Sequence, residues 1–380
     1  MTLRPGALAL TPLLLFLAVF FGAGLYYTAA GEPMGFYQLR APVAILPALA
    51  LEAWIARRRG IRPGDTLLQG MGDPNIVLMC LIFLLAGAFA QVSRAIGAVD
   101  AVVSLGVEVL HPSLLLPGLF AIGCAVSLAI GTSMGTIAAV MPIAVGVADA
   151  AGLDRALVAG AVVGGAMLGD NLSVISDTTI AATRTQGAQM RDKFRENFRI
   201  ALPAALVTMV LLAFAGEPAP VQSPPAAPAW LALPYLVVLM LALAGLDVLL
   251  VLGIGLALSG AFGLLAAEGY GLQRYAGDIW TGFEGMVEIL LLALLVGGLA
   301  ALMKASGGLA WLAQAIARPA RGHVGRRTGE FSIAALSATA DVFTANNTVA
   351  ILVSGDVARD IAQRHGISPR RAASVLDIFA

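Results

Sequence analysis

Charge is scarce in this chain: Lys, Arg, Asp and Glu make up 12% of its 380 residues, against 59% hydrophobic residues. Apolar runs of roughly 18 or more residues recur with few charges, which is the pattern of bilayer-crossing helices rather than of two or three soluble domains. There is no excess of either sign, 23 basic residues standing against 23 acidic, and the basic ones fall in short clusters rather than along one face. Nucleic-acid binding is thereby excluded. Cysteine is nearly absent: Cys80 and Cys124 both lie inside apolar segments, too few and too isolated for a disulfide framework or a metal site. The three histidines, His111, His323 and His365, all fall in expected loops.

What is present is a series of membrane spans. The start, MTLRPGALALTPLLLFLAVFFGAGLYYTAA, has a basic residue and a small-residue tail like a signal peptide, but its apolar run exceeds a typical signal core and reads as the first span. Further spans are expected at Leu39 to Ala56, Asn75 to Gly97, Ser113 to Ile130, Thr136 to Ala150, Arg155 to Gly169 and Ile200 to Ala215. The proline-rich segment Gly216 to Pro228 has no basic residue and reads as an extended external linker. Beyond it, Ala229 to Ala267 holds two spans with a tight turn near Gly245 and Asp247, followed by Gly282 to Met303. Phe331 to Ala340 and Thr348 to Ala358 are too short to cross alone and are expected to be re-entrant or broken helices, because unpaired backbone at membrane depth needs protein or a water-filled cavity around it.

Arg57, Arg58, Arg59 and Arg62 follow the second span, and Arg184, Arg191, Lys193, Arg195 and Arg199 precede Ile200. Excess Lys and Arg marks the cytoplasmic side, which puts the amino terminus inside. For the linker at Gly216 to Pro228 to fall outside, residues 113–150 must enter and leave on one side, as a re-entrant hairpin with GTSMGT, Gly131 to Thr136, at its tip. The chain also repeats itself. LLAGAFAQVSRAIG at Leu84 resembles LLVGGLAALMKASG at Leu294, an offset of 210, and GTIAAV at Gly135 matches NTVAIL at Asn347, an offset of 212. The lysine-free and arginine-free loop after Gly97 stands opposite one carrying Arg318, Arg321, Arg326 and Arg327, so the copies are expected to have inverted topology. Inverted repeats are typical of secondary transporters, whose sites lie near the midplane where helices break.

The expected fold is therefore all-α, a polytopic membrane protein with two inverted-topology repeats, re-entrant hairpins and broken helices. Residues 1–215 form the first repeat, with the hairpin at 113–150 and a broken helix at 155–183; 216–228 is the linker; 229–380 is the second repeat.

Polar residues concentrate where the helices are expected to break. MLGDNLSVISDTTIAAT, Met167 to Thr183, supplies Asp170, Asn171, Ser173, Ser176, Asp177 and Thr178. An aspartate at the bilayer centre costs on the order of 2.5 to 3.5 kcal/mol, so two within eight residues need compensation, and a bound cation supplies it. Carboxylate, hydroxyl and unwound backbone carbonyl are hard oxygen ligands for an alkali cation, and a carboxyl removed from water also holds a proton more readily. The competing reading is an interfacial loop in water. The hairpin tip adds Thr132, Ser133 and Thr136, or else only small residues for close helix packing. In the second half, SATADVFTANNTVAI offers Asp341, Thr344, Asn346, Asn347 and Thr348, unless Asp341 merely pairs with a neighbouring helix. Asp247 is a weaker candidate; Glu284 and Glu288, like Glu52 and Asp73, read as solvated or interfacial, and MRDKFRENFR, Met190 to Arg199, reads as an interfacial helix. GTSMG also fits the G-x-S-x-G elbow of serine hydrolases, which needs a preceding strand and a histidine in reach, so no enzyme is expected.

With GTSMGT, with GDNLSVISDTT and its following TRTQ, and with ADVFTANNTVAI, the chain resembles the NhaC-type sodium/proton antiporters of the ion transporter superfamily over nearly its whole length. The resemblance implies a central site built from hairpins and broken helices, and exchange of Na+ for H+, with relatives similar to carboxylate or amino-acid exchangers. It implies no cofactor. Na+ and H+ would be cargo, carried on Asp170 and Asp177. The expected partners are the lipid bilayer, a small cation as substrate and a second copy of the chain in a homodimer, and the expected location is the cytoplasmic membrane. By the 212 offset the counterparts of Asp170 and Asp177 would fall beyond Ala380, so the chain is expected to be a fragment of a longer protein.

Overall fold

The computed structural model describes residues 7–98, 100–101, 112–173, 176–215, 228–244, 246–266, 269–308, 311, 315, 325–344 and 347–380. Among these there is no strand; the chain is all-α, and it is a multi-pass membrane protein. The helices are α1 (Thr11–Ala29), α2 (Leu46–Arg58), α3 (Pro63–Met71), α4 (Pro74–Ala95), α5 (Leu115–Ile130), α6 (Ser133–Ala151), α7 (Arg155–Leu172), α8 (Asp177–Gln186), α9 (Met190–Ala215), α10 (Leu233–Leu243), α11 (Val248–Ala266), α12 (Leu272–Ala305), α13 (Arg326–Thr344), α14 (Asn347–Arg364) and α15 (Pro369–Ile378). By length and composition the stretches Leu8–Ala29, Ile76–Ala95, Met190–Ala215, Val248–Leu265 and Leu272–Ala305 suffice to cross a membrane.

Local sequence sets many of these boundaries. Proline opens α3, α4 and α15, where its missing N–H is no loss. Glycines with positive φ close α5, α6, α8 and α14, at Gly131, Gly152, Gly187 and Gly366. Asp154 caps α7 by accepting the Leu157 N–H at 2.9 Å. Several boundaries differ from expectation: α12 begins at Leu272 rather than Gly282, and the span expected at Leu39 to Ala56 is split at Ile45 into a short helix, Ala41–Ala44, and α2. Met190 to Ala215 is one continuous 26-residue helix rather than an interfacial helix followed by a span. Within it Lys193 and Asn197, one turn apart, are buried, because polar partners on other helices receive their tips. The short apolar stretches at 331–340 and 348–358 extend with polar turns to helices of 19 and 18 residues.

The chain folds as two compact units. One comprises Leu81–Asp177 and Phe194–Met286. Its core joins Phe89, Leu116, Phe120, Val140, Val158, Val162, Tyr235, Val251 and Leu252 from α4 to α7, α10 and α11. The closest packing is α5 on α7. A Cβ on Gly165 would lie 2.1 Å from the Phe120 carbonyl oxygen, and one on Gly169 would lie 2.2 Å from the Cys124 carbonyl oxygen, so only glycine permits this approach. Gly87 and Gly282 meet in the same way between α4 and α12, with a Cβ on either only 2.5 Å from the other's carbonyl oxygen. The Ser93 and Ser259 hydroxyls share a buried hydrogen bond at 3.0 Å.

The other unit comprises Met1–Cys80, Thr178–Lys193 and Val287–Ala380. One core packs α8 with α13, α14 and α15 through Ala182, Ile333, Leu336, Ile351, Ile361 and Leu376. A second packs Leu10, Leu13, Ile45, Ala48, Leu299 and Met303. Glu52, expected at a solvated surface, has no exposed surface at all. It shares the inward face of α2 with Ala48, Ile55 and Ala56, and its carboxyl lies beside Ser306 and Arg59. The Arg59 guanidinium donates to the Ser306 carbonyl just past the end of α12. Asp73 is partly buried, Glu284 is exposed and accepts the Trp280 indole N–H, and Glu288 pairs with exposed Arg40 at 3.1 Å.

At the start of α13, Glu330 accepts from Arg326 at 3.1 Å and from Arg371 at 3.1 and 3.0 Å. The hydrogen bonds from Arg371, then those from Arg326, hold its carboxyl below the usual carboxylate range against the opposing effect of burial.

Two measurements test this packing. Gly165→Ala or Gly169→Ala is expected to destabilise the protein by about 1 to 3 kcal/mol in detergent unfolding, as overpacking against fixed backbone does. Gly160, in the same helix with nothing within 4 Å of a built Cβ, is the control, and Gly160→Ala is expected to be neutral or stabilising. For Glu330, whose folded-state pKa is depressed, the ion pair contributes fully above the unfolded carboxyl pKa of about 4.3 and is lost as pH falls through the folded value. Glu330→Gln is expected to cost about 1 to 2 kcal/mol at neutral pH and to flatten the loss of stability below about pH 4.

Candidate functional site

Helix α7 ends at Leu172 and α8 begins at Asp177, so the polar stretch falls at a helix interruption. In the unit that contains α7, the glycine-mediated approach of α5 and α7 sets the geometry. With Gly165 against Phe120 and Gly169 against Cys124, the carboxyl-terminal ends of the two helices run out together. Ser173, immediately past α7, donates its hydroxyl to the Leu128 carbonyl of α5 at 3.0 Å, while its own N–H returns to the Asp170 carbonyl at 3.0 Å. Asp170 lies in this last turn and is 5% exposed. Ser127, fully buried, approaches Gly169 from α5. A buried carboxyl thus shares one locality with the carbonyl-rich ends of two helices. Both features favour positive charge.

Asn171 donates to the Met167 carbonyl at 3.1 Å, and its own carbonyl receives the side-chain amide of Asn197 at 2.9 Å. Asn197 has no exposed surface and braces the end of α7 from α9. Sequence reasoning missed it, since it stands between charged neighbours in MRDKFRENFR; its four-residue spacing from Lys193 was the available signal. At the turn between α5 and α6, Gly131 adopts φ 78°, and Thr132 is extended ahead of α6. Ser133 is 7% exposed and Thr136 is fully buried, its hydroxyl returning to the Thr132 carbonyl at 2.9 Å. Because helix α5 precedes Ser133, the strand-turn-helix of a hydrolase elbow is not formed there. Ser176 is fully buried in the gap before α8.

In the other unit, Thr178 is 5% exposed in the first turn of α8. Asp341 is partly buried in the last turn of α13, and Asn347 and Thr348, also partly buried, open α14. Asp177 opens α8 and Thr344 closes α13; their side chains, like the whole of Asn346, fall outside what the structure describes. The same is true of His111, His323 and residues 216–227 of the linker. Asp247 is exposed and its carboxylate accepts the Leu249 N–H at 2.9 Å, capping α11. Among the described residues no group of three His, Cys, Asp or Glu side chains could hold a metal ion.

A model of the Na+/H+ antiporter family matches residues 65–217 and 225–378. A malate-2H+/Na+-lactate antiporter of Bacillus subtilis (strain 168) is 32% identical over 174 residues, 44% of this chain and 37% of that protein. The Na+/H+ antiporter NhaC of the same organism is 32% identical over 179 residues, 46% of this chain and 38% of that protein. The arginine/ornithine antiporter ArcD of Halobacterium salinarum (strain ATCC 700922 / JCM 11081 / NRC-1) is 26% identical over 180 residues, 47% of this chain and 37% of that protein. The chain thus spans well under half the length of these relatives. Two matched blocks that together take in α4 to α9 and α10 to α15, with the polar helix interruptions inside them, mean that this chain belongs to the Na+/H+ antiporter family.

Proposed function

We propose that the chain belongs to a secondary active transporter that exchanges Na+ for H+ by alternating access. The observation that carries the reading is Asp170, a 5%-exposed carboxyl at the joined carbonyl ends of α5 and α7 in a family of antiporters. Dehydrated Na+ needs oxygen ligands to replace its water, and a buried carboxylate needs a positive partner. One carboxyl can therefore hold Na+ and H+ in turn but not together, and that exclusion is what couples the two flows.

In this reading Asp170 and Asp177 carry the ions. The oxygens of Asn171, Ser173, Ser176 and Thr178, of Thr132, Ser133 and Thr136, and of Asp341, Thr344, Asn346, Asn347 and Thr348 are the candidates for completing coordination. Na+ is cargo, and no resident cofactor is needed. The arginine cluster at Arg57, Arg58, Arg59 and Arg62 supports a cytoplasmic amino terminus in the cytoplasmic membrane, and a homodimer is the proposed assembly. A second reading, a Na+- or H+-coupled carboxylate or amino-acid exchanger, is favoured by the malate/lactate and arginine/ornithine antiporters among the relatives. Transport is the function in either case.

The test is Na+-driven proton movement in everted vesicles, followed with a pH-sensitive dye. Asp170→Asn and Asp177→Asn are each expected to reduce it by roughly tenfold or more, the usual scale for losing a charged ligand. Full activity in either variant would end that residue's carrier role. Labelled lactate, malate or arginine uptake that depends on the Na+ or proton gradient, without Na+-driven proton movement in their absence, would select the second reading.

A further inference from the structure

Lys193 and Asp377 form an ion pair in which the side chains are 1% and 0% exposed. By contrast, the pairs Arg40–Glu288, Arg62–Asp65, Arg155–Asp149, Arg326–Glu330, Arg364–Asp360 and Arg371–Glu330 each leave at least one partner 24% exposed or more. The Lys193 ammonium also donates to the Thr179 hydroxyl at 2.5 Å, and Thr179 is itself 1% exposed. Three elements therefore meet at one point: the first turn of α8, the first turn of α9, and the last turn of α15. Asp377 is held from behind as well, since Ser337 of α13 donates to the carbonyl of the preceding residue, Leu376, at 2.6 Å.

Burying an ammonium and a carboxylate costs several kcal/mol per ion, and well-packed apolar residues in their place are often equally stable or more so. Adhesion alone is thus a weak reason for this pair. Its location supplies a better one: Thr179 directly follows Thr178 and stands two residues after Asp177, so whatever fixes the Thr179 side chain fixes the turn that presents both. The offset between helix starts in the two halves, Ser133 to Asn347 and Arg155 to Pro369, is 214 in each case. Under that offset Asp377 falls opposite apolar Val163, so this carboxyl is not a repeat copy of Asp170.

We propose that Lys193 is a positioning residue for cation binding: anchored on Asp377, it clamps the first turn of α8 through Thr179 and so sets the affinity of the oxygens at Asp177 and Thr178. This deepens the antiporter reading and rests on it. The pair is neutral overall, so it fixes geometry without adding charge that would oppose or replace the transported cation.

The experiment uses the charge-free double variant Lys193→Met/Asp377→Leu, because Lys193→Met alone strands a buried carboxylate and risks misfolding. In proteoliposomes the double variant is expected to raise the KM for Na+ by roughly tenfold or more with little change in kcat, while Lys193→Arg stays near the wild-type KM. Hydrogen–deuterium exchange of residues 177–186, measured on the same proteins, is expected to accelerate by a similar factor in the double variant and not in Lys193→Arg. A double variant with wild-type KM, or with unchanged exchange over α8, overturns the proposal. Wild-type protein with no Na+-driven proton movement overturns the antiporter reading instead, and the exchange data then still decide whether the clamp exists.

Discussion

The approach of α5 to α7 at Gly165 and Gly169 is the constraint on which the candidate site depends. With backbone carbonyls little more than 2 Å from where a Cβ would stand, the two helices touch main chain to main chain. That contact fixes their ends together. The alignment lets Ser173 reach the Leu128 carbonyl and leaves Asp170 buried in the last turn of α7. In this part of the fold, packing and electrostatics are one feature: small residues permit the approach, and the approach concentrates negative potential.

A chain with so little charge makes its buried ionisable groups informative. In a bilayer, surface contacts between lipid and apolar side chains need no polar help, so a Lys, Asp or Glu retained inside must be held by partners that compensate its lost hydration. Glu52 has Arg59 and Ser306 beside it and Lys193 has Asp377 and Thr179, whereas Asp170 stands in the last turn of a helix, where the potential favours a cation over a bare carboxylate. The first links helix α2 to the end of α12. The second ties α8 to α15. The third lies in the last turn of α7, just before a helix interruption.

Much of the architecture was legible in the sequence because its signals are local. Gly131 and Gly152 mark helix ends, Asp154 marks a helix start, and the break at Ser173 to Ser176 coincides with the polar run that interrupts an apolar pattern. The polar extensions of α13 and α14 were less visible, since hydropathy registers only the apolar middle of a helix whose end turns pair with other protein groups, as Glu330 does with Arg371. Burial of Glu52 and Lys193 could not be read locally, and for Asn197 the one local signal was its four-residue spacing from Lys193. Each looks solvated among its sequence neighbours, while Asn197 meets Asn171 and Lys193 meets Asp377 only through the fold. Nothing in a single sequence records those meetings.

The two halves share helix spacing but not polar content, and the difference bears on how such a scaffold works. Ser133 and Arg155 open helices whose counterparts begin at Asn347 and Pro369, a common offset of 214. Yet α7 is glycine-rich and carries its carboxyl, Asp170, in its last turn, whereas α15 has no glycine and carries Asp377 opposite Val163. Glycines let α7 lie against a neighbour's backbone. Without them α15 presents its carboxyl to a lysine, a cation that cannot leave. Repetition of helix spacing therefore does not require repetition of chemistry.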